Sequence, residues 1–133
     1  MEPILNRNDF EKVLKSERAV IYVYVDWSSY ASQTGLRIME EAERHFQRTA
    51  DPEVSFWLAN VSDLDSPAAF IADWLRRQES EKMRMFPAIG TGNGSIVWLR
   101  NGQPIGFALS ASHLGVDGVR AKTKETLFGL SQA

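Results

Sequence analysis

Two apolar runs dominate the pattern of hydrophobic and polar positions along the chain. Residues 19–25 are β-branched, aromatic or small, and their only polar groups are two tyrosine hydroxyls. A run that is apolar at every position is typical of a strand in the middle of a sheet, covered on both faces. Residues 54–61 are also mainly apolar, with Ser55 and Asn60 as the polar exceptions. The sequence therefore predicts two buried strands.

Apolar positions at helical spacing predict helices on either side of these strands. Asn8 and Glu11 have the spacing of a capping box, so we expect a first helix from there to about Ser16. A long second helix is expected after Ser28, with charged residues on its outer face. Its predicted buried stripe consists of Ile38, Met39, Ala42 and Phe46.

A third helix is predicted after the second strand. Ser66 is a favourable N-cap residue, and Pro67 would then occupy the first helical position, where a missing N–H costs nothing. This helix should run to about Gln78 and bury a stripe of apolar side chains. Residues 79–94 are polar and then rich in glycine. We expect a long loop there, with a helical turn or a short strand in it.

The end of the chain predicts a hairpin and a last helix. Asn101 and Gly102 separate the apolar runs 95–99 and 104–108, and Asn-Gly between such runs is a strong hairpin signal. A terminal helix is expected to begin late, at about Val116, because two glycines weaken its start. The whole order predicts one α/β domain over residues 1–133, with a mixed sheet of four to five strands and helices on both faces.

Composition limits the classes of function. Fifteen basic and seventeen acidic residues give a net charge of −2, so no global field favours nucleic acid or an anionic membrane. No apolar run approaches the ~18 residues that a membrane helix needs, and the first residues lack the pattern of a secretory signal. A cytoplasmic location is therefore expected. With no cysteine in the chain, the sequence carries no direct sign of its redox compartment.

Residues 19–31 resemble the active-site region of thioredoxin with both cysteines replaced. Thioredoxin ends this strand in Trp-Cys-x-x-Cys, and the chain has Trp27-Ser28-Ser29-Tyr30-Ala31 in that frame. The Asp-containing turn 62–65 and the hairpin at 95–103 resemble further parts of the same superfamily. The resemblance covers nearly the whole chain and implies a thioredoxin-like three-layer sandwich.

The departures from this family concentrate at its chemistry. Ser28 and Ala31 stand where the family has its two thiols, and neither side chain can form a sulfur–sulfur bond, so dithiol–disulfide exchange is excluded. Tyr22 stands where the family has a buried acid. The position of the family's cis-proline falls on Gly94 by spacing, which we favour, or on Pro87 if the loop carries an insertion.

We expect a redox-inactive module that binds a protein or peptide through the groove beside the former active site. Aromatic side chains with a polar tip, such as Trp27 and Tyr30, are enriched at binding surfaces. The expected contact residues are Trp27, Ser28, Ser29, Tyr30, Ala31, Phe86, Pro87, Asn93 and Gly94. The alternative is a non-redox binder or enzyme for a small ligand or anion, which would use the helix N-terminus at Ser28. The simplest role for Ser28 is that of a helix cap.

Neither a cofactor nor a metal is predicted. Glu41 and His45 lie one helical turn apart, but two ligands do not make a zinc site, and His113 is the only other histidine. The glycine-rich residues 90–94 precede a strand and lack the lysine of a phosphate loop. Oligomeric state and partner identity are left open by the sequence.

Overall fold

The computed structural model describes residues 1–48, 54–63, 65–78 and 94–129, with the backbone alone at residues 30–32 and 48. Within these ranges the chain forms five strands and four α-helices, and a π-helical segment, Tyr30–Gly35, leads into the second α-helix. In chain order they are β1 (Glu2–Pro3), α1 (Arg7–Lys15), β2 (Arg18–Tyr24), α2 (Leu36–Arg48), β3 (Val54–Asn60), α3 (Ala69–Arg77), β4 (Ser95–Arg100), β5 (Gln103–Ala108) and α4 (Ala111–Phe128).

The five strands form one mixed sheet in the order β1-β3-β2-β4-β5. β1, β3 and β2 run parallel, whereas β4 is antiparallel to both β2 and β5. β2 is the central strand, as its uninterrupted apolar run predicts. The predicted α/β fold class and mixed sheet are confirmed.

Helices cover both faces of this sheet because β2 alternates its buried side chains between them. Ile21 and Val23 belong to a core that α1 and α3 complete, with Val13 and Leu75 among its members. Val20, Tyr22 and Trp98 belong to the opposite core, which α2 and α4 complete. The predicted stripe of α2 is confirmed: Met39, Ala42 and Phe46 are buried, and Ile38 packs against them.

β1 is an element that sequence reasoning missed. Glu2 and Pro3 pair with Trp57 and Leu58 of β3, and the amide of Ile4 adds a 2.8 Å bond to the Leu58 carbonyl. Two residues are too short to show the alternation that marks a strand. β1 forms because its backbone pairs with the edge of β3.

The predicted N-cap of α1 was wrong by two residues. Asn6, and not Asn8, caps this helix: its side-chain oxygen accepts a 2.8 Å bond from the Asp9 amide. The Asp9 carboxylate in turn accepts a 2.9 Å bond from the amide of Leu5. The pair differs from a capping box in that the acidic side chain accepts from the amide of the residue before the N-cap, not from that of the N-cap itself.

The predicted start of α3 at Ser66 was also wrong. The helix begins at Ala69, after Ala68 in the N-cap position. Ser66 holds the preceding turn instead, because its hydroxyl oxygen accepts a 3.1 Å bond from the Asp63 amide and its carbonyl accepts a 3.0 Å bond from the Ala69 amide. Ser66 therefore stabilises the turn before α3 and does not cap the helix.

α4 begins at Ala111, five residues before the predicted start at Val116. A break at Gly115, with φ 69° and ψ 175°, divides it into a short first piece and a longer second piece. Only glycine adopts this backbone conformation readily. The predicted late start therefore corresponds to the second piece, in which Val119 and Leu127 are buried as expected.

The predicted hairpin is confirmed between β4 and β5. Asn101 and Gly102 both have positive φ, 50° and 79°, as a type I′ turn requires. This turn connects the paired residues Arg100 and Gln103. Within the described ranges, no helix has the length and apolarity to cross a membrane.

Candidate functional site

One end of the sheet gathers the residues that the sequence singled out. β2 and β3 finish there because they are parallel, and β4 starts there because it is antiparallel to β2. β5 returns to the same end, where it is followed by Leu109. We call this surface the Trp27 edge; it consists of residues 25–29, 60–63, 65, 94 and 109.

Trp27 is the most exposed large apolar side chain of this edge. It lies in a turn directly after β2, which the Ser28 amide closes with a 3.4 Å bond to the Val25 carbonyl. Its side chain is 64% exposed, and Leu109 at the same end is 39% exposed. The edge therefore presents an indole ring and an aliphatic side chain to solvent.

A hydrogen-bond network holds the turn that carries Trp27. The Asp26 amide donates a 2.7 Å bond to the Ser62 hydroxyl, and the Asp26 carboxylate accepts a 3.2 Å bond from the Asn60 side chain. The Asn60 side-chain oxygen accepts bonds from both the amide and the hydroxyl of Ser62. The loop after β2 is thus tied to the loop after β3.

The helix after Trp27 opens with an unusual turn. Ser29 occupies the N-cap position in an α-helical conformation and makes no capping bond with its side chain. The backbone of Tyr30–Gly35 then forms a π-helix before α2 begins. Such segments are rare and often lie at functional sites. The long helix is confirmed where it was predicted, although it starts with this wider turn; the capping role of Ser28 stays a prediction.

Behind the edge, Tyr22 and Gly94 fit together closely. Gly94 has φ 72°, and a Cβ atom added to it would lie 2.2 Å from the Tyr22 hydroxyl oxygen. Tyr22 is fully buried in the sheet. Glycine at residue 94 is therefore favoured both by the backbone conformation and by the close approach of the buried Tyr22 side chain.

The Tyr22 ring also stacks on that of Tyr24, with 5.8 Å between ring centroids and 8° between planes. Burial raises the pKa of Tyr22 above its ordinary value, and the neighbouring Tyr24 raises it further. Burial, followed by the charge of Asp26, raises the pKa of Tyr24 as well. Both phenols are neutral at physiological pH, so neither supplies a base.

The structure brings several of the predicted site residues together. Trp27, Ser28, Ser29 and Gly94 all lie at the Trp27 edge, and the backbones of Tyr30 and Ala31 follow directly. The remaining predicted residues, Phe86, Pro87 and Asn93, lie outside the described residues. Among the described peptide bonds none is cis, and the match of Gly94 to the family's cis-proline position stays a prediction.

Sequence reasoning missed the Asp26 network. Asp26 and Asn60 each sit at the carboxyl end of a predicted parallel strand, where polar side chains from neighbouring strands meet. This position in the sequence could have indicated that the two side chains lie close together. The network joins the loop after β2 to the loop after β3. Among the described residues, no group of three His, Asp or Glu side chains could hold a metal ion.

The residues considered for a metal are engaged elsewhere. Glu41 accepts a 2.6 Å bond from Arg44. His45 lies 3.4 Å from a guanidinium nitrogen of Arg120. Their contacts are those of a solvated helix face and of the packing between α2 and α4.

The strand order, the helices on both faces and the helix that starts at the carboxyl end of the central strand define a thioredoxin-like α/β fold. Solved thioredoxins match it over almost the whole chain. Thioredoxin of Malassezia sympodialis has a TM-score of 0.63 at 17% identity, with 96% of this chain and 90% of that one covered. Thioredoxin of Fasciola hepatica has a TM-score of 0.61 at 16% identity, covering 95% and 99%.

Mitochondrial thioredoxin 3 of Saccharomyces cerevisiae matches with a TM-score of 0.59 at 19% identity, covering 94% of each chain. Neither a protein-family model nor a curated protein sequence matches this chain. At such low identity the structural likeness shows the fold, and the chemistry must come from the residues themselves. The chain has the thioredoxin fold without the Cys-x-x-Cys motif.

Proposed function

We propose that this chain is a redox-inactive thioredoxin-like module that binds a protein or peptide at the Trp27 edge. The observation that carries the proposal is Trp27 itself, 64% exposed at the end of the central strand. Exposed aromatic side chains are the commonest anchors of binding surfaces. Burial of an indole ring by a partner would remove apolar surface from water at roughly 25 cal/mol per Å².

The residues around Trp27 support binding rather than chemistry. The two positions of the family's thiols hold Ser28 and Ala31, and the 133 residues include no cysteine. A serine hydroxyl is far less acidic than a thiol, and it can neither attack a disulfide to form a mixed disulfide nor be oxidised to one. Tyr22 and Tyr24 remain protonated because burial raises their pKa values. The surface retains its aromatic groups and lacks a nucleophile that could exchange disulfides.

A comparison of captured proteins tests this proposal. Tagged wild type and the variant Trp27→Ala plus Tyr30→Ala are used to recover bound proteins from the same source extract. Ile105→Ala is the matched control, because Ile105 is an apolar side chain 43% exposed on β5, away from the Trp27 edge. We expect specific partners to be lost with the double variant and retained with the control.

The comparison requires that wild type and both variants are equally folded, which circular dichroism and thermal unfolding measure. Partners that bind wild type and the folded double variant in equal amounts would show that the proposed surface is wrong. Loss with Ile105→Ala alone would move the binding surface to β5.

A further inference from the structure

We propose that the partner segment bound at the Trp27 edge is positively charged, with a lysine or arginine side chain placed over the Trp27 indole. This inference rests on the binding function proposed above and specifies the chemistry of the partner. Two independent observations carry it. One is the exposed indole of Trp27, and the other is the group of exposed carboxylates on the loops at the same end of the sheet.

Three exposed carboxylates lie on the loops at this end of the sheet. Asp26 directly precedes Trp27, and Asp63 and Asp65 lie in the loop after β3 that the Asp26 network ties to the loop after β2. The Asp63 carboxylate accepts bonds from the Asp65 amide at 2.9 Å and from the Ser66 hydroxyl at 3.4 Å. These bonds keep the loop at the same end of the sheet as the indole.

The described basic groups at this end come with acidic ones. At the start of α1 Arg7 is followed by Asp9, and the Arg7 guanidinium lies 4.7 Å from the Phe70 ring centroid. At the start of α2 the exposed Arg37 is followed by the exposed Glu40. The three carboxylates of the loops come in addition, so the described residues of this end have an acidic excess.

The opposite end of the sheet carries basic groups among its described residues. Arg18 and Arg100 are directly paired in the register of β2 and β4, and Lys15 ends α1. Acidic residues accompany them there: Glu17 lies 3.5 Å from Arg18, and Glu125 is in the last turn of α4. A cationic segment would be attracted to the carboxylates of the Trp27 edge.

An indole with an open face favours the same ligand. Lysine and arginine side chains are attracted to the face of a tryptophan ring, and the attraction adds to that of nearby carboxylates. A neutral segment would gain only the apolar contact, and an acidic one would meet like charges. Each exposed ion pair contributes little, so the preference for the cationic segment should be about fivefold at low ionic strength.

Nuclear magnetic resonance of the full chain tests the inference. The indole N–H signal of Trp27 is assigned with Trp27→Phe and followed during titration with three degenerate libraries of short peptides. The libraries share the same apolar residues and differ only at alternate positions, which are Lys or Arg, Gln, or Glu. We expect the cationic library to bind about fivefold more tightly than the Gln library, with the difference vanishing at about 1 M salt.

Two double variants with the same net charge show which carboxylates cause the preference for cations. Asp26→Asn plus Asp65→Asn should reduce the preference for cations, whereas Glu40→Gln plus Glu125→Gln, exposed positions on α2 and α4, should preserve it. Equal or tighter binding of the Gln or Glu library would overturn the charge inference and leave peptide binding intact. If no library shifts the Trp27 signal at millimolar concentration, the peptide-binding function at this edge is wrong, and the charge inference falls with it.

Discussion

Replacing Gly94 by alanine should destabilise the protein more than the same change at Gly115 or Gly129. These two glycines also have a left-handed φ, but no atom lies within 4 Å of the position of an added Cβ atom. The added Cβ would lie 2.2 Å from the hydroxyl oxygen and 2.9 Å from the ring carbon of Tyr22 that bears it. Real Cβ atoms do not approach other heavy atoms so closely, so one of the two must move. Tyr22 is fully buried and stacked on Tyr24, which leaves its ring little room.

The expected cost has two parts. A left-handed backbone costs a residue with a Cβ atom roughly 1–2 kcal/mol, and Gly94 has φ 72°. Overpacking of a buried site adds about 1–3 kcal/mol. Together the free energy of unfolding should fall by about 2–5 kcal/mol, a large share of the roughly 5–15 kcal/mol that a domain has.

Gly129 supplies the matched control for backbone strain alone. It also has a left-handed conformation, with φ 65°, and nothing lies within 4 Å of the position of its Cβ atom. Urea unfolding followed by circular dichroism measures the loss for Gly94→Ala and Gly129→Ala. The former should exceed the latter by about 1–3 kcal/mol, the overpacking share.

A double-mutant cycle identifies Tyr22 as the cause. Tyr22→Phe removes the nearest clashing atom, so it should recover about 1 kcal/mol of the damage caused by Gly94→Ala, even though the hydroxyl's own interaction is lost. If Gly94→Ala costs no more than Gly129→Ala, or if the two changes at residues 22 and 94 are simply additive, the close fit between them is refuted.

Three further predictions follow from contacts elsewhere in the fold. Thr123→Val should lower stability by about 1–3 kcal/mol in urea unfolding, because the buried Trp98 indole loses its 2.9 Å hydrogen bond, whereas Thr123→Ser should retain most of it. Asn6→Ala should cost about 1 kcal/mol and Asn8→Ala almost nothing, since only Asn6 caps α1; equal effects would contradict the observed cap. Burial, and then two cations of α4, lower the pKa of His45 below its usual 6.5. As the pH drops below about 6.5, His45 is therefore protonated in the unfolded chain before it is protonated in the folded protein, and the free energy of unfolding should fall. His45→Gln should flatten this part of the pH profile of thermal unfolding, and an unchanged profile would exclude His45 as its source.

Elements with a strong pattern of their own were predictable from the sequence. The apolar run of β2 and the Asn101-Gly102 turn each specify their structure locally, and both are confirmed. Boundaries were harder because the signals overlap. Asn6 and Asn8 are both good caps, with an acid three residues later in each case, and the choice depends on where the chain leaves β1. β1 itself has no local signal.

The candidate site, too, was predictable from the sequence only in part. The sequence places Trp27 and Ser28 at the start of the long helix because the strand and the helix around them are well marked. The contacts behind and beside them could not be predicted, since each joins residues that are distant in sequence. Asp26 meets Asn60 across 34 positions. Tyr22 meets Gly94 only when β4 lies beside β2.

These long-range contacts bear on how the exposed indole would bind in the proposed function. A side chain that must be ordered on binding loses conformational entropy, at about 0.5–1.5 kcal/mol for one with many rotamers. The turn that carries Trp27 is fixed by Asp26, Asn60 and Ser62 before any partner arrives. Behind the turn, the buried ring of Tyr22 stacks on the partly buried ring of Tyr24. An anchor on a turn that is already fixed would lose less conformational entropy on binding, so disruption of the Asp26 network should weaken the proposed binding even though Trp27 remains.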